Sequence, residues 1–378
     1  MRRLFNPIVL LMSTSVMAQQ QPDPWLTLML KTKAHAAAHR APAPVLSPND
    51  HSVVPGAFGM PEGSAVPVAR LQAAGIRVLP WTTNDPEKMR AVIRTGVDGL
   101  ISDRPDLLQR VLQEERAQRP GDTKLAHFVV SAHRGGRGLR PENTLPSFES
   151  GLDQLATELE TDTGVSTDGV SLIWHDQFYN PQSCRYADGT PYTNENRVYL
   201  SDISSTEAQR RFVCDKLHFG EDQKNDLALS PVAVAFAAKE HMASPYTPTY
   251  VAQLFRFVDF YATYYSSGEG KAHPQARERA ANARTVRFNI ETKILPPVTA
   301  QSSEAAKKLP PNHTVGPQAF VTTLAGAIVK AGMANRCAIQ SFDFRTLVLV
   351  EEQFPQIPTI YLTEVSTPPE LPTRVDGR

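Results

Sequence analysis

Short apolar runs rich in β-branched residues recur along the chain and end in polar residues. They are PVLSPN (44–49), IRVLPWTTN (76–84), DGLISD (98–103), HFVVSAHRG (127–135), TELETDT (157–163), VSLIWHD (170–176), TVRFNIETK (285–293), CAIQSFD (337–343) and TIYLTE (359–364). Their apolar residues are nearly continuous rather than alternating, as in strands buried on both faces of a parallel sheet. Helical spacing fills the gaps. Val251, Leu254, Phe255, Val258, Tyr261, Ala262 and Tyr265 share one face, and Gly268 supplies a stop. The stretches 89–95, 106–115 and 317–330 also predict helices. Strand–helix alternation over this length means an α/β fold. The polar stretch 177–248 breaks the rhythm and predicts a large irregular insertion. There is no internal repeat.

Composition narrows the classes. The 378 residues are 41% hydrophobic and 21% charged, ordinary globular values that suit two average domains or one α/β barrel. Lys+Arg 39 and Asp+Glu 39 cancel, so no basic surplus points to nucleic acid. The first residues, MRRLFNPIVLLMSTSVMAQQ, pair a basic start with a short apolar run and a small residue at Ala18. That pattern predicts a signal peptide over 1–18 and an exported mature chain, 19–378, periplasmic or secreted. No later stretch approaches the roughly 20 apolar residues of a membrane span. Export would permit a disulfide between Cys184 and Cys214, which lie in the same irregular region, while Cys337 sits in an apolar run as a free thiol.

Ionisable residues gather where strands end: His133 and Arg134, Glu160 and Asp162, His175 and Asp176, Glu291 and Lys293, with Trp81 and Asn84 beside them. In α/β barrels and open sheets this is the face that carries active sites. Glu160 and Asp162 are two apart on a strand, so their carboxylates point the same way. They read either as solvated carboxylates or, if Glu291 joins them, as hard oxygen ligands for Ca²⁺ or Mg²⁺ rather than zinc. Each histidine alone reads more readily as structural than as catalytic. As a pair, one can donate a proton to a leaving oxygen while the other takes one from a nucleophile. Arg134 and Lys293 suit a phosphate, or plain salt bridges. Together the set describes metal-assisted phosphoester chemistry.

The order of motifs carries a resemblance. HRGGRGLRPENTLPSF (133–148), then ELETDTGVSTDGVSLIWHD (158–176), NIETK (289–293) and IQSFD (339–343) resemble the glycerophosphodiester phosphodiesterases. The resemblance implies a TIM-type (β/α)8 barrel with His133 and His175 as the acid/base pair. It implies Glu160, Asp162 and Glu291 around a divalent cation, Ca²⁺ or Mg²⁺, with Arg134 and Lys293 on the phosphate. Glu142, Asn143 and Trp81 would support the site. The substrate implied is a small glycerophosphodiester, whose glycerol hydroxyl can attack phosphorus before water completes hydrolysis. Ser166 stands where the family has Thr, and Leu155 where it has Gly.

One feature departs from the family order. Its closing motifs, here WTTN (81–84) and GVDGLISDRP (96–105), precede His133, and none follows TIYLTE. The expectation is a circularly permuted barrel in which 24–117 supplies strands six to eight and 125–365 strands one to five. Chain ends that lie close make this physically easy. Two other functional readings stand beside hydrolysis of glycerophosphodiesters. One is a phospholipase D-like hydrolase of lysophospholipids or sphingomyelin. The other is a non-catalytic rearranged barrel.

Overall fold

The computed structural model describes residues 23–54, 66–298, 307–364 and 371–372. The predicted signal peptide lies outside the described residues. Helix α1 (Pro24–Ala38) opens the described chain, with the Asp23 side chain accepting from the Leu26 N–H and Pro at its first position. There follow β1 (Val45–Pro48), α2 (Val68–Ala73), α3 (Pro86–Arg94), β2 (Gly99–Ser102), α4 (Pro105–Gln118), α5 (Thr123–Ala126) and β3 (Val129–Ala132). The middle holds α6 (Leu145–Asp153), β4 (Glu158–Val165), β5 (Ser171–Ile173), β6 (Arg185–Tyr186), α7 (Ser205–Arg211), β7 (Phe212–Val213), α8 (Pro231–Lys239), α9 (Val251–Ser266) and α10 (Ala276–Thr285). The rest is β8 (Arg287–Thr292), α11 (Pro317–Lys330), β9 (Cys337–Ser341), α12 (Phe344–Gln353) and β10 (Thr359–Thr363).

The strands pair in parallel in the order β1-β10-β9-β8-β4-β3-β2. The gap between β1 and β2 is filled by the extended segment 76–81. Leu46 N–H donates to Arg77 O and Leu79 N–H to Leu46 O, both at 2.9 Å. On its other edge, Asp98 N–H donates to Val78 O at 2.9 Å and Ile101 N–H to Pro80 O at 3.0 Å. Pro80 has no N–H, which interrupts a regular ladder there. The segment therefore closes the strands into a TIM-type barrel with helices outside, as the family resemblance implies. The apolar core lies between strands and helices and includes Leu46, Val78, Leu100, Val130, Leu159, Phe288, Ile339 and Tyr361.

Two expectations need correcting. VSLIWHD is not a further barrel strand. β5 runs antiparallel to the upper end of β4, pairing Thr163 with Ile173. Trp174 N–H then donates to Asp162 O at 3.0 Å, so the hairpin turns back and lowers His175 toward the barrel mouth. Its apolar residues mimic a buried barrel strand because a hairpin sandwiched on both faces has the same pattern.

The stretch 177–248 is also more ordered than its polarity suggests. It carries α7, the short β6–β7 pair and an apolar cluster in which Tyr179, Leu200 and Phe212 pack with Leu172 and Trp174 of the hairpin, and within which Cys184 and Cys214 are bonded. Its last helix, α8, belongs to the barrel layer, where Val232, Ala233 and Phe236 join the main core. Ala-rich α8 lacks a polar face, so it shows no amphipathic period to read. Cys337 is a buried free thiol. No described helix is long and apolar enough to cross a membrane.

Candidate active site

β4 extends past its neighbours and sets Glu158, Glu160 and Asp162 on one buried face. In register, Asp162 lies beside Glu291 of β8, and Glu291 beside Gln340 of β9. Oxygens of Glu160, Asp162 and Glu291 all lie within 4.8 Å of one another. Glu160 accepts from the Arg134 backbone N–H at 2.8 Å and from the Gln340 amide at 2.6 Å. Asp162 Oδ2 accepts from Asn143 Nδ2 at 2.9 Å, and Thr161 Oγ1 donates to Asn143 Oδ1 at 2.8 Å, which fixes that amide. Lys293 Nζ donates to Glu291 Oε1 at 2.8 Å.

His133 follows β3 directly, at the turn from strand to helix. That turn is strained. Arg134 has φ 50° and Asn143 φ 55°, left-handed values unusual for residues with a side chain. The turn is held from several sides: Arg134 O accepts from Asn143 N–H at 3.0 Å and from Ser147 Oγ at 2.6 Å. Gly135, at φ 82°, lets α6 approach, since a Cβ there would lie 2.7 Å from Phe148 N. The result aims Arg134 inward, its guanidinium between Glu142 and Asp162, with Nε 3.3 Å from Asp162 Oδ2.

His133 Nδ1 lies 2.5 Å from Asp103 Oδ1, at the end of β2. Asp103 also accepts from Arg137 Nε at 2.7 Å and from Asn84 Nδ2 at 2.7 Å. His175 Nδ1 lies 2.8 Å from Asp176 Oδ1, and Asn180 Nδ2 donates to Asp176 Oδ2 at 2.8 Å. A carboxylate on Nδ1 fixes each ring with Nε2 free to exchange a proton. His133 Nε2 points toward Glu160, 3.9 Å away.

Burial, together with the Arg137 and Arg134 cations, pulls the His133 pKa down to about 4, against the pull of Asp103. Burial, Arg134 and Lys293 lower that of His175. Burial works to raise the Asp103 pKa, yet His133 and Arg137 hold that carboxyl well below its usual range. Among the trio, burial and the Asp162 charge raise Glu160, and burial pushes Glu291 up to about 7 despite Lys293. Burial opposes the charge on Asp162, but Arg134, His175 and Lys293 outweigh it and hold its carboxyl ionised.

A cavity of about 510 Å³ opens here, lined by His133, Arg134, Glu160, His175, Glu291, Lys293 and Gln340 on its charged side. Trp81, Ile101, Phe342 and Leu362 form an apolar wall. Trp81 meets Phe342 edge-on at 5.5 Å between ring centres and donates Nε1–H to Ser47 O at 3.1 Å.

The sequence model of the glycerophosphoryl diester phosphodiesterase family matches residues 4–107 and 133–376. The chain belongs to that family. A mouse lysophospholipase D is 43% identical over 54 residues, 14% of this chain and 16% of that protein. A human glycerophosphoinositol inositolphosphodiesterase is 31% identical over 147 residues, 36% of this chain and 26% of that protein. Among solved structures, an Oleispira antarctica phosphodiesterase in complex with sn-glycerol-3-phosphate aligns at 15% identity and a TM-score of 0.35, over 61% of this chain and 64% of that one. The matches thus span about a quarter or less of those two curated relatives.

Within this member of the family, every candidate site residue named from sequence except Glu142 and Asn143 lines the cavity or supplies its acidic trio. Glu142 sits behind Arg134 and accepts from Ser183 Oγ at 3.1 Å, and Asn143 sits behind Asp162. The trio fits a hard divalent cation. Buried Asp162 Oδ1 accepts no hydrogen bond, while Arg134 and Lys293 leave one positive charge fewer than the three carboxylates carry when ionised. Asp103, Arg137, Gln340 and Phe342 were not singled out from sequence. Asp103 and Gln340 had a signal, since both sit in the strand runs DGLISD and CAIQSFD, at the same ends as the chosen residues.

Proposed function

We propose that the protein is a metal-dependent phosphodiesterase that hydrolyses glycerophosphodiesters to glycerol 3-phosphate and an alcohol. The observation that carries this is the convergence of two carboxylate-held histidines and an acidic trio on one cavity, in a chain of this family. Glu160, Asp162 and Glu291 would hold Ca²⁺ or Mg²⁺, which when bound neutralises charge on the phosphate oxygens.

The protein's own residues supply the remainder. His133 and His175 are both neutral near pH 7 by the direction of their shifts, so each Nε2 is available as a proton acceptor. One takes the proton of the attacking hydroxyl. The other takes up a solvent proton when the anionic phosphodiester enters and raises its pKa, and gives that proton to the leaving oxygen. Asp103 and Asp176 stabilise whichever imidazolium forms, by holding Nδ1–H. Lys293 and Arg134 neutralise the substrate phosphate from the cavity wall. Trp81 and Phe342 offer an apolar surface to the glycerol carbons or the head group.

The same reading takes the chain as a family barrel entered between its usual fifth and sixth strands. Trp81 and Asn84, whose motif precedes His133, share one cavity with His133 and His175, which supports it. Export is supported by the Cys184–Cys214 bond, a linkage that persists in oxidising compartments.

The test is glycerol 3-phosphate release from glycerophosphocholine by residues 19–378, with EDTA and with Ca²⁺ or Mg²⁺ restored. Release that needs the metal and is lost in His133→Ala supports the proposal. A folded protein that releases nothing across several head groups rejects it.

A further inference from the structure

A second cluster of metal-binding side chains lies far from the barrel mouth, where α1 packs against α12. His35 and His39 are four residues apart, so they share one face at the end of α1, and their rings are 4.5 Å apart between centres. Glu352 faces them from α12. One ligand atom from each of the three lies within 4.8 Å of the other two.

Hydrogen bonds fix which ring nitrogens are free. His35 Nδ1 lies 2.7 Å from Oε2 of Glu351, a fully buried side chain. The other oxygen of Glu351 accepts from Thr359 Oγ1 at 2.7 Å and from the Tyr361 hydroxyl at 3.0 Å. A carboxylate so held accepts a hydrogen bond from the Nδ1–H of His35, which keeps its proton. His39 Nδ1 lies 3.0 Å from the backbone carbonyl of His35, which can only accept, so Nδ1 carries the proton there as well. Both rings therefore keep their lone pair on Nε2. His35 Nε2 lies 3.4 Å from Glu352 Oε1. Bonds of about 2.0–2.1 Å in a tetrahedral zinc site place neighbouring ligand atoms about 3.4 Å apart.

We propose that His35, His39 and Glu352 form a second metal site, selective for Zn²⁺ or a similar borderline ion, that ties α1 to α12. Two imidazoles and one carboxylate suit such an ion, while the all-oxygen trio in the barrel suits Ca²⁺ or Mg²⁺. Glu351 is the outer carboxylate that orients a ligating histidine. Water takes the remaining position, because the cluster lies at the surface. The role is mechanical: an ion bound only by the folded chain raises its stability.

The experiment titrates Zn²⁺ into residues 19–378 in saturating Ca²⁺, which occupies the barrel trio, and compares His39→Ala and Glu352→Gln. Both substitutions are at the surface and leave hydrolysis of glycerophosphocholine unchanged. The expected result is one equivalent of Zn²⁺ whose affinity falls more than tenfold in each variant. Zinc should raise Tm in the wild type alone, and Co²⁺ should give the visible absorption of a tetrahedral ion only in the wild type. Glu351→Gln should weaken binding by about 10–100-fold. Zinc binding equally tight in all variants overturns the site. So does failure of folded wild-type protein to bind zinc. Neither result depends on the outcome of the hydrolysis assay.

Discussion

His133 and Asp103, 30 residues apart, meet at 2.5 Å through Nδ1 and Oδ1 where β2 and β3 end side by side. The contact sets the ring so that Nε2, not Nδ1, faces the cavity. Asp103 is itself held by Asn84 and Arg137, so its position does not depend on substrate. In Asp103→Asn the amide can present N–H₂ to Nδ1 and favour the wrong tautomer. The expected outcome is a fall in kcat of about a hundredfold, within the range for general acid–base groups. KM and Tm should change little. Steady-state kinetics with a thermal melt checks this, and an unaltered kcat would remove Asp103 from the mechanism.

Glu291→Gln tests the acidic trio. It keeps the shape of the side chain and removes one charge beside Asp162, its partner in register. Calcium affinity measured by calorimetry should fall at least tenfold, because a hard cation in this trio is held chiefly by carboxylate charge. Activity should then require far more Ca²⁺ after EDTA treatment. Unchanged affinity would place the ion elsewhere.

Away from the mouth, Glu149 of α6 caps α8 by accepting from Val232 N–H at 3.0 Å and Ala233 N–H at 2.7 Å. Burial, reinforced by Asp153, pushes its pKa up to about 8 against those two bonds. A carboxyl whose folded pKa exceeds its unfolded one binds more protons when folded. Its contribution is therefore present in full below about pH 4 and is lost as pH rises toward 8. Wild-type stability should decline over that window relative to Glu149→Gln, by an amount on the order of a few kcal/mol. Urea unfolding of both proteins at pH 5, 6.5 and 8 gives the comparison. Parallel curves would show that the helix N–H groups keep Glu149 ionised throughout.

Leu155 explains a departure from the family's glycine. It holds φ 54° at the junction of α6 and β4, where its N–H reaches Leu152 O at 2.9 Å. A left-handed residue with a side chain is disfavoured by roughly 1–2 kcal/mol. Leu155→Gly should therefore stabilise the protein by about 1 kcal/mol, less any entropy that glycine adds to the unfolded chain. A lower urea midpoint would mean that Leu155 packs more usefully than its backbone suggests.

The parallel strands were legible because buried strands write themselves as short apolar runs, while their closure into a barrel was implied by the order of the family motifs. The helix over 317–330 was legible to the residue because Pro317 opens it and Gly332 follows it. His133, Glu160, Asp162 and Glu291 stood out for a related reason: ionisable groups at the ends of apolar runs are conspicuous. Asp103 ends such a run too, but its pairing with His133 is a property of neighbouring strands and not of either run alone. His175 was legible as a residue but not by its route, since a buried hairpin and a buried strand share one pattern. Alpha helix α8 escaped because alanine and valine on all sides leave no period. The His35–His39–Glu352 cluster joins residues more than 300 positions apart, a distance that spacing cannot bridge.

The Cys184–Cys214 bond closes a loop of sequence separation 30 next to the site. Ser183, its neighbour, donates to Glu142 Oε1 at 3.1 Å and lies 2.7 Å from His218 Nε2. Glu142 in turn holds the Arg134 guanidinium. A loop of this size is worth about 3–4 kcal/mol in the chain-entropy account. Paired Cys184→Ala and Cys214→Ala substitutions should therefore lower stability by an amount of that order, concentrated in the small cluster around Trp174 and Phe212. Activity should fall as well, through a looser Arg134 and so a higher KM, while metal affinity of the acidic trio, held also by Asn143, Gln340 and Lys293, stays near the wild-type value. Hydrogen exchange across 177–214 with kinetics on the same samples separates the two effects. Loss of metal binding together with activity would show instead that the bond supports the whole mouth of the barrel.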